Sequence, residues 1–105
     1  MNSNNNMERT ALFYMANAHP EIGRMLNYAE KGETIAAEAA QQRALAIVDT
    51  ILARHDIAPA GREEWRAVKS LLMGYTILDE YARKVLRNFA EPFSYKFMYE
   101  YAHGK

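Results

Sequence analysis

The amino-acid sequence reads as a small all-α helical bundle, on three observations. Apolar residues recur at helical spacing through two long stretches, 33–55 and 62–89. No run rich in valine, isoleucine and threonine is bounded by turn signals, as strands would be. Proline and glycine fall between the periodic stretches, at His19-Pro20, Lys31-Gly32 and Pro59-Ala60-Gly61. The expected architecture is two short N-terminal helices, an antiparallel pair of long helices, and an aromatic C-terminal segment folding back. Residues 1–6 read as a polar leader, and 7–105 as a single helical domain.

Taken in order, helical pattern starts at Met7 and is expected to stop near Asn17, because the residue before Pro20 is pushed out of helical geometry. Pro20 then suits the first turn of a second helix, with Glu21 at its positive end. Ile22, Met25, Leu26 and Ala29 continue at helical spacing, and Lys31-Gly32 reads as the stop. From Glu33 to about His55, Ala36, Ala40, Ala44, Ile47, Val48, Ile51 and Leu52 form one stripe opposite Glu38, Gln41, Gln42 and Asp49. The alanines of its first half allow a neighbouring helix to approach closely. A loop, Asp56 to Gly61, leads into a helix expected over 62–89 and roughly 40 Å long. Its apolar face comprises Val68, Leu71, Leu72, Tyr75, Leu78, Ala82, Val85, Leu86 and Phe89. Met73 and Ile77 point away from that face, and the returning tail is the expected cover for them.

The tail is the most unusual segment. Phe93, Tyr95, Phe97, Tyr99 and Tyr101 occupy alternate positions after Glu91-Pro92. A strand would put all five rings on one face, but it would have no sheet to join without another chain. A helix would make one stripe of Phe93, Phe97 and Tyr101, which could cap the core, and a second of Tyr95 and Tyr99. Helix is the preferred reading, and either form presents more aromatic surface than one edge of a small bundle hides.

Composition narrows the functional classes. Thirteen lysines and arginines balance thirteen aspartates and glutamates in 105 residues, so no global field steers the chain toward nucleic acid or anionic lipid. Near-neutral small proteins also tend to self-associate. With no cysteine, disulfide frameworks, thiolate zinc sites and cysteine nucleophiles are excluded. The uncharged stretch Ser70–Leu78 is too short to cross a bilayer, and no basic segment precedes an apolar run at the N-terminus. A cytoplasmic location is expected, with no cofactor.

Three patterns carry candidate chemistry. Leu52-Ala53-Arg54-His55-Asp56-Ile57, an apolar helix end followed by His-Asp, resembles the signature of HD-domain metal-dependent phosphohydrolases. That resemblance covers six residues. It implies that His55 and Asp56 would bind a divalent ion, with His19 upstream and Asp79 downstream completing the set. Ala58-Pro59 stands where the family carries Gly-Lys, and Asp79 comes early. The favoured reading is a histidine at a helix C-terminus with Asp56 opening the loop. Glu100 and His103 have the Glu-x-x-His spacing of helical di-iron sites, but no second such motif exists to face them. Arg66, Lys69, Arg83, Lys84 and Arg87 share one broad side of the expected long helix and make nucleic-acid binding the alternative function. Glu80 interrupts that stripe and Glu63 and Glu64 sit near its start. Asp79 and Arg83, one turn apart, are expected to form an ion pair.

The function expected from these residues is protein–protein interaction without an active site, the partner being another protein chain, with a second copy of this one a candidate. Tyr95, Tyr99 and Tyr101 are the expected anchors, and Met73 and Ile77 a second patch.

Overall fold

A computed structural model describes residues 9–103. The expected leader over 1–6 and the helix start at Met7 lie outside the described residues. Five α-helices and no strand occur among them: α1 (Ala11–Glu30), α2 (Thr34–Leu52), α3 (Pro59–Met73), α4 (Glu80–Phe89) and α5 (Glu91–Ala102), with one 3₁₀ turn, Tyr75–Ile77, between α3 and α4. The all-α bundle read from periodicity is the observed class.

Two helix boundaries differ from expectation. The break at His19-Pro20 does not occur, and α1 runs through it with Pro20 inside the helix. Proline there removes one backbone hydrogen bond and costs about 3 kcal/mol. Continuity aligns Ala18, Ile22, Met25 and Leu26 on one face where all four are fully buried. Burying each large side chain contributes roughly 1.5–3 kcal/mol, so two or three of them outweigh the proline. Pro20 itself faces solvent, and Glu21, expected to open a helix, instead pairs with Arg24 and with Arg43 of α2.

The helix expected over 62–89 is two helices. α3 ends at Gly74, Leu78 is extended, and α4 restarts at Asp79, whose carboxylate accepts a hydrogen bond from the Ala82 N–H at 2.8 Å. The expected Asp79–Arg83 ion pair is therefore replaced by an N-cap. Arg83 and Arg87 reach Glu30 at the end of α1 instead, and Arg87 also donates to the Asn27 side chain at 2.8 Å. Packing explains the break. In a straight helix Trp65 and Phe89 would stand roughly 36 Å apart, whereas the break turns α4 back onto α1 and brings their rings to 5.1 Å.

Other punctuation behaves as read. Gly32 adopts φ +77°, and the N–H groups of Gly32 and Glu33 donate to the carbonyls of Ala29 and Tyr28, ending α1 in a Schellman motif. Pro59 opens α3, starting slightly earlier than expected, and Arg62 donates to the carbonyls of Leu52 and Arg54, closing the end of α2. Gln41 of α2 donates to the Leu72 carbonyl at 2.9 Å and closes the end of α3 in the same way.

The core lies among α1, α2 and α3, with α4 and α5 packed against α1. Ala37, Ala40 and Ala44 of α2 are buried, which is why α1 and α2 form the most extensive pair. Ala36, placed in the stripe by sequence, is only partly buried, and Ala37 takes its place. Trp65, which the periodicity left out, is fully buried at the centre of an aromatic cluster, 5.1 Å from Phe89 and 5.6 Å from Phe93 between ring centroids. Val85, assigned to the apolar face, is instead half exposed beside a small apolar groove between α3 and α4.

Candidate functional site

The tail is a helix, and its two faces have different fates. Phe93 packs on Trp65 and Phe89, and Phe97 sits 5.7 Å from Phe13 of α1 in an edge-on arrangement. Tyr101 stacks on Phe97 but remains 82% exposed, so the expected inner stripe holds for two of its three members. On the outer face Tyr95, Met98 and Tyr99 are each 63–65% exposed, and Ala102 is exposed with them. These four stand at i, i+3, i+4 and i+7, the spacing of a continuous helical stripe. The tail helix is apolar on the side facing solvent as well as on the side facing the core.

Few polar groups interrupt that outer stripe. The Tyr95 hydroxyl donates to Glu91 at 3.2 Å, and Tyr99 stacks on His103 with centroids 4.0 Å apart. Both contacts stay within the helix and hold the rings in place along its surface. Lys96 and Glu100 lie on one flank, lining a shallow depression with Leu12, Asp56 and Phe93. Ser94 and Tyr101 form the other flank.

Met73 and Ile77 are 64% and 86% exposed. The tail does not cover them, because α5 packs along the first half of α1 whereas Met73 and Ile77 lie near its far end. Tyr75 and Thr76 share a depression there with Glu30, Thr34 and Ala37. The helix break also removes their shared helical face. Tyr95, Tyr99 and Tyr101 thus lie toward one end of α1, and Met73 and Ile77, each exposed, toward the other. Sequence reasoning missed Met98, Tyr81 and Ile35, all exposed apolar side chains. Met98 was legible in the i, i+3, i+4 spacing once the tail was taken as a helix.

The basic residues are divided and mostly paired. On α3, Arg66 pairs with Glu63 and Lys69 reaches Asp49 of α2, while Arg83 and Arg87 of α4 converge on Glu30. Lys84 borders an open depression with Glu30, Glu80, Arg83 and Arg87. The single basic side expected of one long helix is therefore two separate groups, each interleaved with carboxylates.

Asp56 has a structural task. Its carboxylate accepts from Arg54 at 2.7 and 3.2 Å and from the Ala11 N–H at 3.1 Å, capping α1 from the loop after α2. The Arg54 guanidinium first, and the Ala11 N–H second, hold its pKa down at about 2. Thr10 caps the same helix end by accepting from the Phe13 N–H. His55 is exposed, and His19 lies within α1 with its Nδ1 buried and unbonded. Among the described residues His19, His55, Asp56 and Asp79 do not gather into a group that could hold a metal ion, nor does Glu100 with His103. No helix among them is long and apolar enough to cross a membrane. Compared with family models, curated proteins and solved structures, the chain matches none.

Proposed function

We propose that this chain is a small non-enzymatic protein–protein interaction module, acting as an adaptor, regulator or inhibitor within a larger assembly. The observation that supports it is the solvent-facing stripe of α5, where Tyr95, Met98 and Tyr99 remain about two-thirds exposed although Phe93 on the opposite face of the same helix packs, partly buried, against the core. Tyrosine and methionine are apt for this work. The ring and the thioether bury large apolar area, and the hydroxyl orients the partner. Met73 and Ile77 supply a second apolar patch at the other end of α1, so one molecule could bridge two neighbours. Nucleic-acid binding through Arg66, Lys69, Arg83, Lys84 and Arg87 is less well supported, because four of the five already meet a carboxylate.

Site-specific photo-crosslinking in cells that make the protein tests this reading. A benzophenone side chain at Tyr99 or Ile77 is expected to give discrete covalent adducts with protein, and one at the polar, exposed Glu38 none. Equal labelling at all three positions would refute it.

A further inference from the structure

We infer that the chain forms an exchanged dimer, in which residues 59–89 straighten into one helix and α4 and α5 of each copy pack on the α1 of the other. This goes beyond the reading above and makes no use of the α5 stripe. A second stripe carries it. Ala67, Leu71, Gly74, Leu78, Tyr81 and Val85 follow one another at intervals of 4, 3, 4, 3 and 4 residues, the repeat of a helix that pairs with another helix along its length. The stripe runs through the break between α3 and α4, so the folded-back form never presents it whole. The core does not use it either: Ala67 and Tyr81 are exposed, Val85 is 44% exposed, and Leu71, Gly74 and Leu78 are only partly buried. The core takes the neighbouring stripe of Trp65, Val68, Leu72 and Tyr75. No proline lies in residues 74–79, and Gly74 has a negative φ, so nothing in the backbone there forbids a continuous helix.

The register agrees. In the folded-back form α4 returns along α3, with the Trp65 and Phe89 rings 5.1 Å apart and Ala67, Leu71 and Val85 lining one groove. Two straight helices crossing antiparallel at Thr76 bring the same residues together. Ala67 then meets the partner's Val85, Leu71 meets the partner's Tyr81, and Gly74 meets the partner's Leu78. The exchange keeps what holds α4 in place, the buried Leu86 and the reach of Arg83 and Arg87 to Glu30, and makes those contacts between copies. It adds the middle of the stripe, Leu71 to Tyr81, closed against its own copy and removed from water. Against that gain stands the Asp79 cap of α4, which a continuous helix gives up. Protein concentration therefore sets the balance between the two forms.

Refolding the whole chain from urea at roughly millimolar and at micromolar concentration, followed by light scattering after size exclusion, tests the exchange. A dimer is expected from the concentrated sample, and it should outlast the column run on dilution, because α4 and α5 must leave α1 before the copies part. Glu80→Pro decides the mechanism. Proline suits the first position of α4, after an Asp79 that is already extended at φ −77° and ψ 178°, but it breaks any helix running through residue 80. It is expected to weaken the dimer at least about a hundredfold while the monomer keeps its melting midpoint. Tyr81→Lys, at an exposed position, should weaken it about tenfold by setting a charge against the partner's Leu71. Tyr99→Ser should leave it intact. Because the chain has no cysteine, Glu64→Cys chains refolded together with Asn88→Cys chains report the connectivity. A short bis-maleimide should link 64 of one copy to 88 of the other, and neither position to itself. A monomer at both concentrations would overturn the exchange. So would a dimer that survives Glu80→Pro, one that Tyr99→Ser abolishes, or one without the 64–88 link. None of these outcomes touches adducts to other proteins at Tyr99, so the interaction reading stands or falls separately.

Discussion

At the residue scale, Asp56 ties the first helix to the loop that follows the second, across 45 positions of sequence. Its carboxylate is held by the Arg54 guanidinium and by a backbone N–H at the positive end of α1, where an anion is favoured. The pKa is lowered from 3.8 to about 2, so the folded state prefers the charged form more than the unfolded chain does. That contribution is present above pH ~4 and is lost as the pH falls through about 2. Urea midpoints measured from pH ~5 down to ~2 should therefore fall less steeply for Asp56→Asn than for the parent chain. The carboxyl resonance of Asp56, followed by NMR, should titrate near 2. The His-Asp pair was visible in the sequence, but its task was not. Capping by a residue far away in the chain leaves no local pattern, whereas Thr10 and Asp79 cap helices directly beside them.

At the element scale, helices answered to packing more than to punctuation. Pro20 stands inside α1 with its ring in solvent, where it costs a backbone hydrogen bond and contributes no burial. Pro20→Ala should stabilise the chain by about 1–2 kcal/mol, less than the full helical penalty because proline also restricts the unfolded state. Chemical denaturation with an unchanged slope would check it, and a loss of stability would show that the proline is needed for the local geometry. Gly74 carried the opposite lesson. The apolar period continues across it, so the stretch looked like one helix, yet Asp79 followed by Glu80 is an N-terminal signature that could have been read there. The end at Lys31-Gly32 was legible because a positive φ at a glycine is a local demand.

At the scale of the whole molecule, α5 belongs to the core and to the surface at once. Phe93 and Phe97 close over Trp65 and Phe13, so a chain ending at Glu91 should expose the tryptophan and lose at least about 3 kcal/mol. A red-shifted Trp65 fluorescence spectrum and a broadened melting transition would report it, whereas a truncated chain with the parent's melting midpoint would place the core elsewhere. Removing only the outer side chains should leave that spectrum unchanged, which separates the two faces of one helix. The sequence by itself determined the helical class, the apolar stripe of α2 and the glycine stop of α1, since periodicity and turn chemistry act between neighbours in the chain, whereas for the tail it left helix and strand both open with helix preferred. Only the tertiary structure decided that α1 crosses its proline, that the run over 62–89 folds in two, that Trp65 is central, and that Met73 and Ile77 stay uncovered. Those outcomes depend on which distant surface each face meets, and burial against a partner helix outweighs the smaller preferences written into local sequence.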